Sequence, residues 1–276
     1  MGAVCSAIDP QLRARKNLTR MTSSETTPSV KAALRALDLI EAFAATGGPL
    51  SLSELAGKID APLSSVHGIA HTLQARGYLY LLEKKRRLRP TRKLYELAAA
   101  MARHDPLLER LRPFLTELRS DTGETVVLAR REGDEVVYLD VLESPQTIRY
   151  ATRPGERKPI HSSSLGKALL SLDTRQDFDA FVQRSPLVKV TPNTITDADA
   201  LWRQLQQGKI EGYITSRAEN VTDVTAIAVL VRIDGEILAL ALGGPIARYE
   251  ARLAQNLAAL RATVARLRQA GIVEPH

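Results

Sequence analysis

Between Val30 and Ala45 apolar side chains recur at helical spacing, with Leu34, Leu37, Ile40 and Phe43 along one predicted face. Gly47, Gly48 and Pro49 stop that helix. A second, shorter helix carries Leu52, Leu55 and Ile59 inward. Ser51-Leu-Ser-Glu54 opens it as a capping box, in which the hydroxyl accepts from the Glu54 amide and the carboxylate reaches back. Asp60-Ala-Pro62 makes a turn, and Pro62 suits a first helical position because its missing N–H would have no helical partner. Val66, Ile69, Ala70 and Leu73 then form an i, i+3, i+4, i+7 stripe. Ser64, Ser65, His67, Gly68 and His71 fall on the opposite face. Gly77 ends this third helix. The period then changes to two: Tyr78, Tyr80 and Leu82 alternate as a strand, Glu83 to Arg86 turn, and Arg87 to Arg89 begin the return. Helix, turn, helix and hairpin in this order predict a winged helix-turn-helix over residues 30–90.

The remainder reads as a linker helix at 91–104 and a second domain at 105–276. Thr91 to Ala102 is a strong helix former by propensity. Asp105 is an N-cap before Pro106, and Leu108, Leu111, Leu115 and Leu118 follow on one face. Thr125–Ala129 and Glu135–Val141 predict a hairpin around Glu132-Gly-Asp134, with Ile148–Ala151 as a further strand. His161 to Leu170 reads as a loop passing into a helix, and helices follow at Thr174–Gln183 and Asp197–Gln207. Tyr213–Ser216 is a strand, Ala226–Val231 and Ile237–Leu242 flank the hairpin signal Asp234-Gly235, and Arg248 to Ala270 is a single closing helix. Hairpins mixed with helices imply an antiparallel α+β domain, not a doubly wound one. Residues 1–29 lack sustained periodicity and end in a Ser/Thr/Pro-rich run, so they are expected to be a disordered leader. Met21 is an alternative start, and the match of MGAVCS to an N-myristoylation pattern is read as chance.

Charge changes the picture by where it lies. The chain carries +7 overall, and residues 1–105 hold 16 Lys/Arg against 9 Asp/Glu, while the rest is balanced at 22 and 22. A basic module joined to a neutral one points to polyanion binding in the first part and another task in the second. The cluster Lys84, Lys85, Arg86 and Arg87 at the predicted wing can neutralise phosphates, giving affinity and salt dependence but little sequence choice. Ser64, Ser65, His67 and His71 are placed to touch bases or nearby phosphates. No apolar run is long enough to span a bilayer, so no membrane association is expected. The lone Cys5 excludes an internal disulfide framework, and a cytoplasmic location follows.

Candidate chemistry narrows further. His67 and His71 stand four apart, but no Glu follows His67 and no third ligand is evident, so no metal or cofactor is expected. Ser164-Leu-Gly166-Lys167 resembles the end of a P-loop yet has His161 where Gly is needed and Ala168 where Ser or Thr is needed. His161 beside Ser162, Ser163 and Ser164 leaves a hydrolase-like enzyme as the alternative reading, though no G-x-S-x-G elbow exists. The better use of that loop is anion capture, because free N–H groups at a helix start favour a carboxylate.

Ser51, Glu54 and Ala56 form S-x-x-E-x-A, Pro62 to His67 form P-x-S-S-V-H, and Thr72-Leu73 and Arg76-Gly-Tyr78 follow. Further on stand T-G-E-T-V (Thr122 to Val126), D-E-V-V-Y-L-D (Asp134 to Asp140) and E-S-P (Glu143 to Pro145). H-S-S-S-L-G-K-A (His161 to Ala168), Gly212-Tyr213, Glu219-Asn220, Ala226-Ile-Ala228 and Gly244-Pro245 complete the set. On these motifs the chain resembles the isocitrate-lyase-regulator (IclR) family of bacterial transcription factors from Val30 onward. The resemblance implies a winged-helix domain on operator DNA, with Arg76 and Gly68 counted among its contacts. It also implies a linker helix that pairs between protomers and a GAF-like effector domain. Dimers, often assembled into tetramers, are implied, with RNA polymerase a further partner if the protein activates. A small organic or aromatic acid is the implied effector, its carboxylate on the amides of Ser163 and Ser164. Ser216, Ala226, Ala241 and Gly243 should line the rest, with His161, Ser162 and Glu219 in the same matched segments.

Two departures from the family pattern matter. Gly68 stands where Arg is common and Leu63 where a basic residue is common, so more of the DNA affinity should come from the wing. Gly68 also costs the helix roughly 1 kcal/mol relative to Ala, which keeps open a ligand sensor with weakened DNA binding. Ala226, Ala241 and Gly243 stand where Asp, Cys or Ser occur in relatives that bind small polar acids. A buried polar ligand group without a partner costs about 1–3 kcal/mol, so a larger, more apolar effector is expected.

Overall fold

The structure, a computed structural model, describes residues 30–82, 86–103 and 106–274. The leader, wing-tip residues Lys84 and Lys85, and Asp105 as a helix cap lie outside the described residues. Two compact units divide between Ala102 and Arg103.

The first unit is built from helices α1 (Lys31–Thr46), α2 (Leu52–Ile59) and α3 (Leu63–Ala75), then an antiparallel pair, β1 (Leu79–Leu82) and β2 (Arg87–Pro90). The capping box of α2 is formed: the Ser51 amide donates to Glu54 Oε2 at 2.8 Å and the Glu54 amide to Ser51 Oγ at 3.2 Å. Those bonds to Ser51 hold the Glu54 carboxyl below its usual pKa. Pro62 is the N-cap of α3, one residue before the position expected for it. Leu39, Phe43, Leu50, Leu55, Val66, Ala70, Leu79 and Leu88 make the core. Two expected faces are corrected here. Leu34 and Leu37 are exposed, because α1 turns Leu39 and Phe43 inward and gives the flank beside α3 to Arg35. In β1 the residue that reaches the core is Leu79, while Tyr80 faces solvent. Helix α4 (Lys93–Arg103) is joined to this unit by Thr91 Oγ1, which donates to the Gly77 carbonyl, and by Lys93 Nζ, which donates to that of Arg76.

The second unit opens with α5 (Pro106–Thr122) and is centred on a six-stranded antiparallel sheet, order β5-β4-β3-β8-β7-β6. The strands are β3 (Thr125–Glu132), β4 (Glu135–Leu142), β5 (Arg157–Pro159), β6 (Ile214–Arg217), β7 (Val224–Ile233) and β8 (Glu236–Pro245). Asp234 and Gly235, both at positive φ, make the two-residue turn of the β7–β8 hairpin, whose twist matches the strands. Alternate residues serve opposite faces. Ile227, Val229, Val231 and Ile233 pack under α5 and α10 (Leu253–Gln269). Ala228 of β7 and Ala239 and Ala241 of β8 face α6 (Ser164–Leu170), α7 (Arg175–Arg184) and α8 (Ala198–Glu211). The result is an α+β domain of helices on both faces of an antiparallel sheet.

Two expected elements differ. Residues 148–151 are not a strand; the outer partner of β4 is Arg157–Pro159. Side-chain bonds draw the chain off the sheet first: the Ser144 amide donates to Thr125 Oγ1, and that hydroxyl donates to the Tyr150 carbonyl at 2.6 Å. The closing helix is broken at Arg252 into α9 (Ile246–Ala251) and α10. The break lets Tyr249 bury its ring and donate to the Leu242 carbonyl at 3.0 Å.

Candidate functional site

On α3, Ser64, His67, Gly68 and His71 are exposed together on one face, opposite the buried Val66 and Ala70. A Cβ on Gly68 would meet nothing within 4 Å, so no packing demand within the protomer accounts for this glycine. Ser65 is held from behind by Arg35, whose Nη1 donates to its Oγ at 2.9 Å. Arg35 lies thirty residues upstream, and no periodicity marks it. Arg76 is exposed at the end of α3, and Arg86 is exposed in the turn at positive φ. Arg87 differs: its guanidinium donates to the Pro49 carbonyl at 2.9 Å and pairs with Glu54 at 2.7 Å. It ties β2 to the start of α2, and so belongs to the wing's scaffold more than to its free charge.

In the second unit, Ser163 caps α6, its Oγ accepting from the Gly166 amide at 3.1 Å. The amides of Ser164 and Leu165 have no acceptor among the described residues, as the first N–H groups of a helix generally do not. With only seven residues, α6 offers these donors more than a large dipole. They border a cavity also lined by Val127, Tyr138, Tyr150, Ser216, Val224, Ala226, Ala241 and Gly243, with Asn220 and Val221 at one side. The β6, β7 and β8 positions come together because Ser216 pairs with Ala226 and Ala226 with Gly243 across the sheet. Its volume is about 30 Å³. An apolar cavity of about 150 Å³ is known to hold benzene, so the space here is small for a ring-sized ligand as it stands.

Three expected effector residues stand behind the lining. His161 Nε2 bonds the Val188 carbonyl at 2.9 Å, and Ser162 Oγ accepts from Asn220 Nδ2 at 2.8 Å. Glu219 is buried against Lys167, whose Nζ also donates to Gln204 Oε1 at 2.6 Å. None of the three serines bonds the His161 ring among the described residues, so a histidine-activated nucleophile is not assembled. Burial pushes the lysine's pKa down and Glu219 pulls it back up. Around this pair, Thr191 Oγ1 donates to the Ala218 carbonyl and Thr194 Oγ1 to that of Glu219. The turn bearing Asn220 and Val221 is thus held from four sides. Lys167 lies inside a motif visible in the sequence, but its partner is 52 residues away and invisible to spacing.

Burial holds the His161 pKa below its ordinary 6.5, outweighing the Val188 bond that raises it. The unfolded chain therefore binds a proton near pH 6.5 that the folded one resists, and this part of the stability is lost as pH falls below that value. Between about pH 7.5 and 5.5, the Tm of the wild type should fall more than that of His161→Gln. Equal falls would remove His161 as a contributor.

The sequence profile of the IclR helix-turn-helix domain matches residues 32–82, and that of the bacterial transcriptional regulator IclR C-terminal domain matches residues 99–269. The chain belongs to the IclR family. It is 33% identical over 233 residues to the HTH-type transcriptional regulator BhcR of Paracoccus denitrificans, covering 83% of each. It is 28% identical to the HTH-type transcriptional repressor AllR of Escherichia coli K12, over 78% of this chain and 80% of that one. The fold is that of the Thermotoga maritima IclR crystal structure (TM-score 0.71, 24% identity, 84% of this chain and 95% of that one). An IclR homologue from Microbacterium hydrocarbonoxydans, complexed with 4-hydroxybenzoate, is 25% identical at TM-score 0.61 over 86% of this chain and 100% of that one. The protein is thus an IclR-family transcriptional regulator, and its relatives are named as regulators, not enzymes. No helix of the described residues is long and apolar enough to cross a membrane.

Proposed function

We propose that this IclR-family protein is a cytoplasmic, effector-controlled, sequence-specific DNA-binding regulator of a catabolic operon, working as a homodimer or tetramer without enzymatic activity. The observation that carries the reading is the largely apolar cavity bordered by the open amides of Ser164 and Leu165, in a chain that also presents a winged helix-turn-helix. The effector is a small organic acid with an apolar, aromatic body. Its carboxylate lies on the amides from Ser163 onward, and its body lies against Ala226, Ala241 and Gly243. The exposed apolar side chains of α1 and α4, Leu34, Leu37, Tyr95, Leu97 and Met101, supply surface for pairing between protomers.

On the DNA, α3 enters the groove with Ser64, His67, Gly68 and His71, while the wing cations Lys84, Lys85 and Arg86 hold phosphates. Mobility shifts with DNA upstream of the gene and its neighbours test the reading; no preference over random duplex would refute it. Lys85→Ala with Arg86→Ala should weaken binding to all sequences alike and lower the salt slope by about 2, one for each cation taken off a phosphate. An unchanged slope would take the wing out of the interface. For the effector, thermal-shift screening should single out aromatic acids, since a ligand that binds the folded state raises its stability by mass action. A response only to short polar acids would refute the apolar pocket.

A further inference from the structure

The cavity is also lined by two tyrosines that sequence spacing did not select. Tyr138 reaches it because β4 carries a bulge. Leu128 pairs with Asp140 but Ala129 pairs with Tyr138, so Leu139 is the extra residue and every side chain before it changes face. Without that step Tyr138 would face α5; with it, Tyr138 is 4% exposed and stands on the cavity side. Tyr150 arrives from the stretch that left the sheet. Its ring lies where Gly243 has no side chain, and a Cβ there would stand 3.2 Å from its Cδ1. The two phenol oxygens are 3.2 Å apart. In such a pair one hydroxyl donates to the other, and the second proton remains to be placed. Burial, with Tyr150 and Glu156 nearby, holds Tyr138 far above the ordinary pKa of 10, so it remains a neutral donor.

Tyr150, unlike Tyr138, is not part of a strand. It sits in a stretch without helix or strand, held by Thr125 on its carbonyl and by Arg248 on the Ile148 carbonyl. We propose that Tyr150 is an internal occupant of the effector cavity, and that the natural effector carries a hydroxyl or carbonyl oxygen that replaces the Tyr150 hydroxyl on Tyr138. This rests on the cavity being the effector site, as proposed above. The phenol ring of Tyr150 then marks the volume and polarity of what displaces it: an aromatic or ring-sized body with an oxygen besides those of its carboxylate. Tyr138 selects the oxygen, Gly243 leaves room for the ring, and the cost of moving Tyr150 sets how tightly any ligand binds.

Calorimetry on the full-length protein, with benzoate, 4-hydroxybenzoate and p-cresol as probes, tests this. The wild type should prefer 4-hydroxybenzoate to benzoate by about 3–10-fold, the contribution of one hydrogen bond. Tyr138→Phe should erase the preference. Tyr150→Ala should bind 4-hydroxybenzoate about tenfold more tightly than the wild type, having no ring to displace. It should also take up p-cresol in competition with the acid. Tyr150→Phe, which keeps the ring and loses only its anchor, should gain by a smaller factor and guards against a misfolded alanine variant. A preference that survives in Tyr138→Phe would overturn the proposal, as would a Tyr150→Ala that gains no affinity. If no acid binds any variant while p-cresol enters Tyr150→Ala in a Tyr138-dependent way, the role of Tyr150 stands and the carboxylate reading fails. Uptake of p-cresol indifferent to Tyr138 would overturn the former.

Discussion

Glu219→Ala should cost the second unit about 3–5 kcal/mol, the usual consequence of leaving a buried charge without its partner. The Lys167 side chain has no exposed surface and its Nζ lies 2.5 Å from Glu219 Oε2, with the Gln204 amide oxygen as its other acceptor. Taking away the carboxylate leaves a fully buried ammonium facing one neutral dipole, so the lysine must deprotonate or the packing must open. The double variant Lys167→Met with Glu219→Gln removes both charges and should recover most of the loss, since an apolar replacement of a buried pair is often neutral. Urea denaturation of the three proteins, compared at constant m, measures this directly. A Glu219→Ala variant within about 1 kcal/mol of wild type would mean that water reaches the lysine. Ligand response should fail along with stability, because the turn bearing Asn220 and Val221 loses one of its anchors.

Gly166→Ala is the second large effect. A Cβ at this position would lie 2.1 Å from the Ile160 carbonyl oxygen and 2.6 Å from its carbon and Cα, all of them backbone. No rotamer relieves such a contact, so α6 must separate from the strand end that precedes it. The expected cost is about 1–3 kcal/mol or more. The Ser163 cap, which depends on the Gly166 amide, would be misaligned, and the open amides beside it would shift. Effector-induced stabilisation should therefore vanish even where the variant still folds. Gly57→Ala is the control: it lies within α2 with nothing within 4 Å of the added carbon. That change should stabilise by up to about 1 kcal/mol. Similar melting curves for the two variants would show that Ile160 yields easily.

What could be read from the sequence was what neighbouring residues decide between themselves. The Ser51–Glu54 box, the Asp234-Gly235 turn, and the helix starts at Thr174 and Asp197 are closed by bonds that span three residues or fewer. The cavity positions Ser216, Ala226, Ala241 and Gly243 were reached through the family pattern, and the sheet register does bring them together. The misses share a different cause. A bulge at Leu139 leaves no mark in an apolar run, yet it decides which face Tyr138 serves. The stretch 148–151 has strand propensity, but the Thr125 hydroxyl, 25 residues upstream, takes the Tyr150 carbonyl that a sheet would need. Arg35 with Ser65 and Lys167 with Glu219 are polar pairs across thirty or more residues, where no local period can report them. Leu34 and Leu37 follow a helical repeat that is real but faces outward in the protomer.

The sheet order also fixes the timing of assembly. The β3–β4 hairpin leaves the ribosome early, but the strand that completes β3 is β8, with Thr125 meeting Gly243 more than 100 residues later. At synthesis rates of 5–20 residues per second the free edge of β3 waits roughly 6–24 s. Its apolar run Thr125 to Ala129 is unpaired on that side throughout, an edge that can pair with another chain. The β7–β8 hairpin, closed by two residues, forms within microseconds once made and closes the gap. Yield in the cell should therefore depend on the Asp234-Gly235 turn far more than native-state stability does.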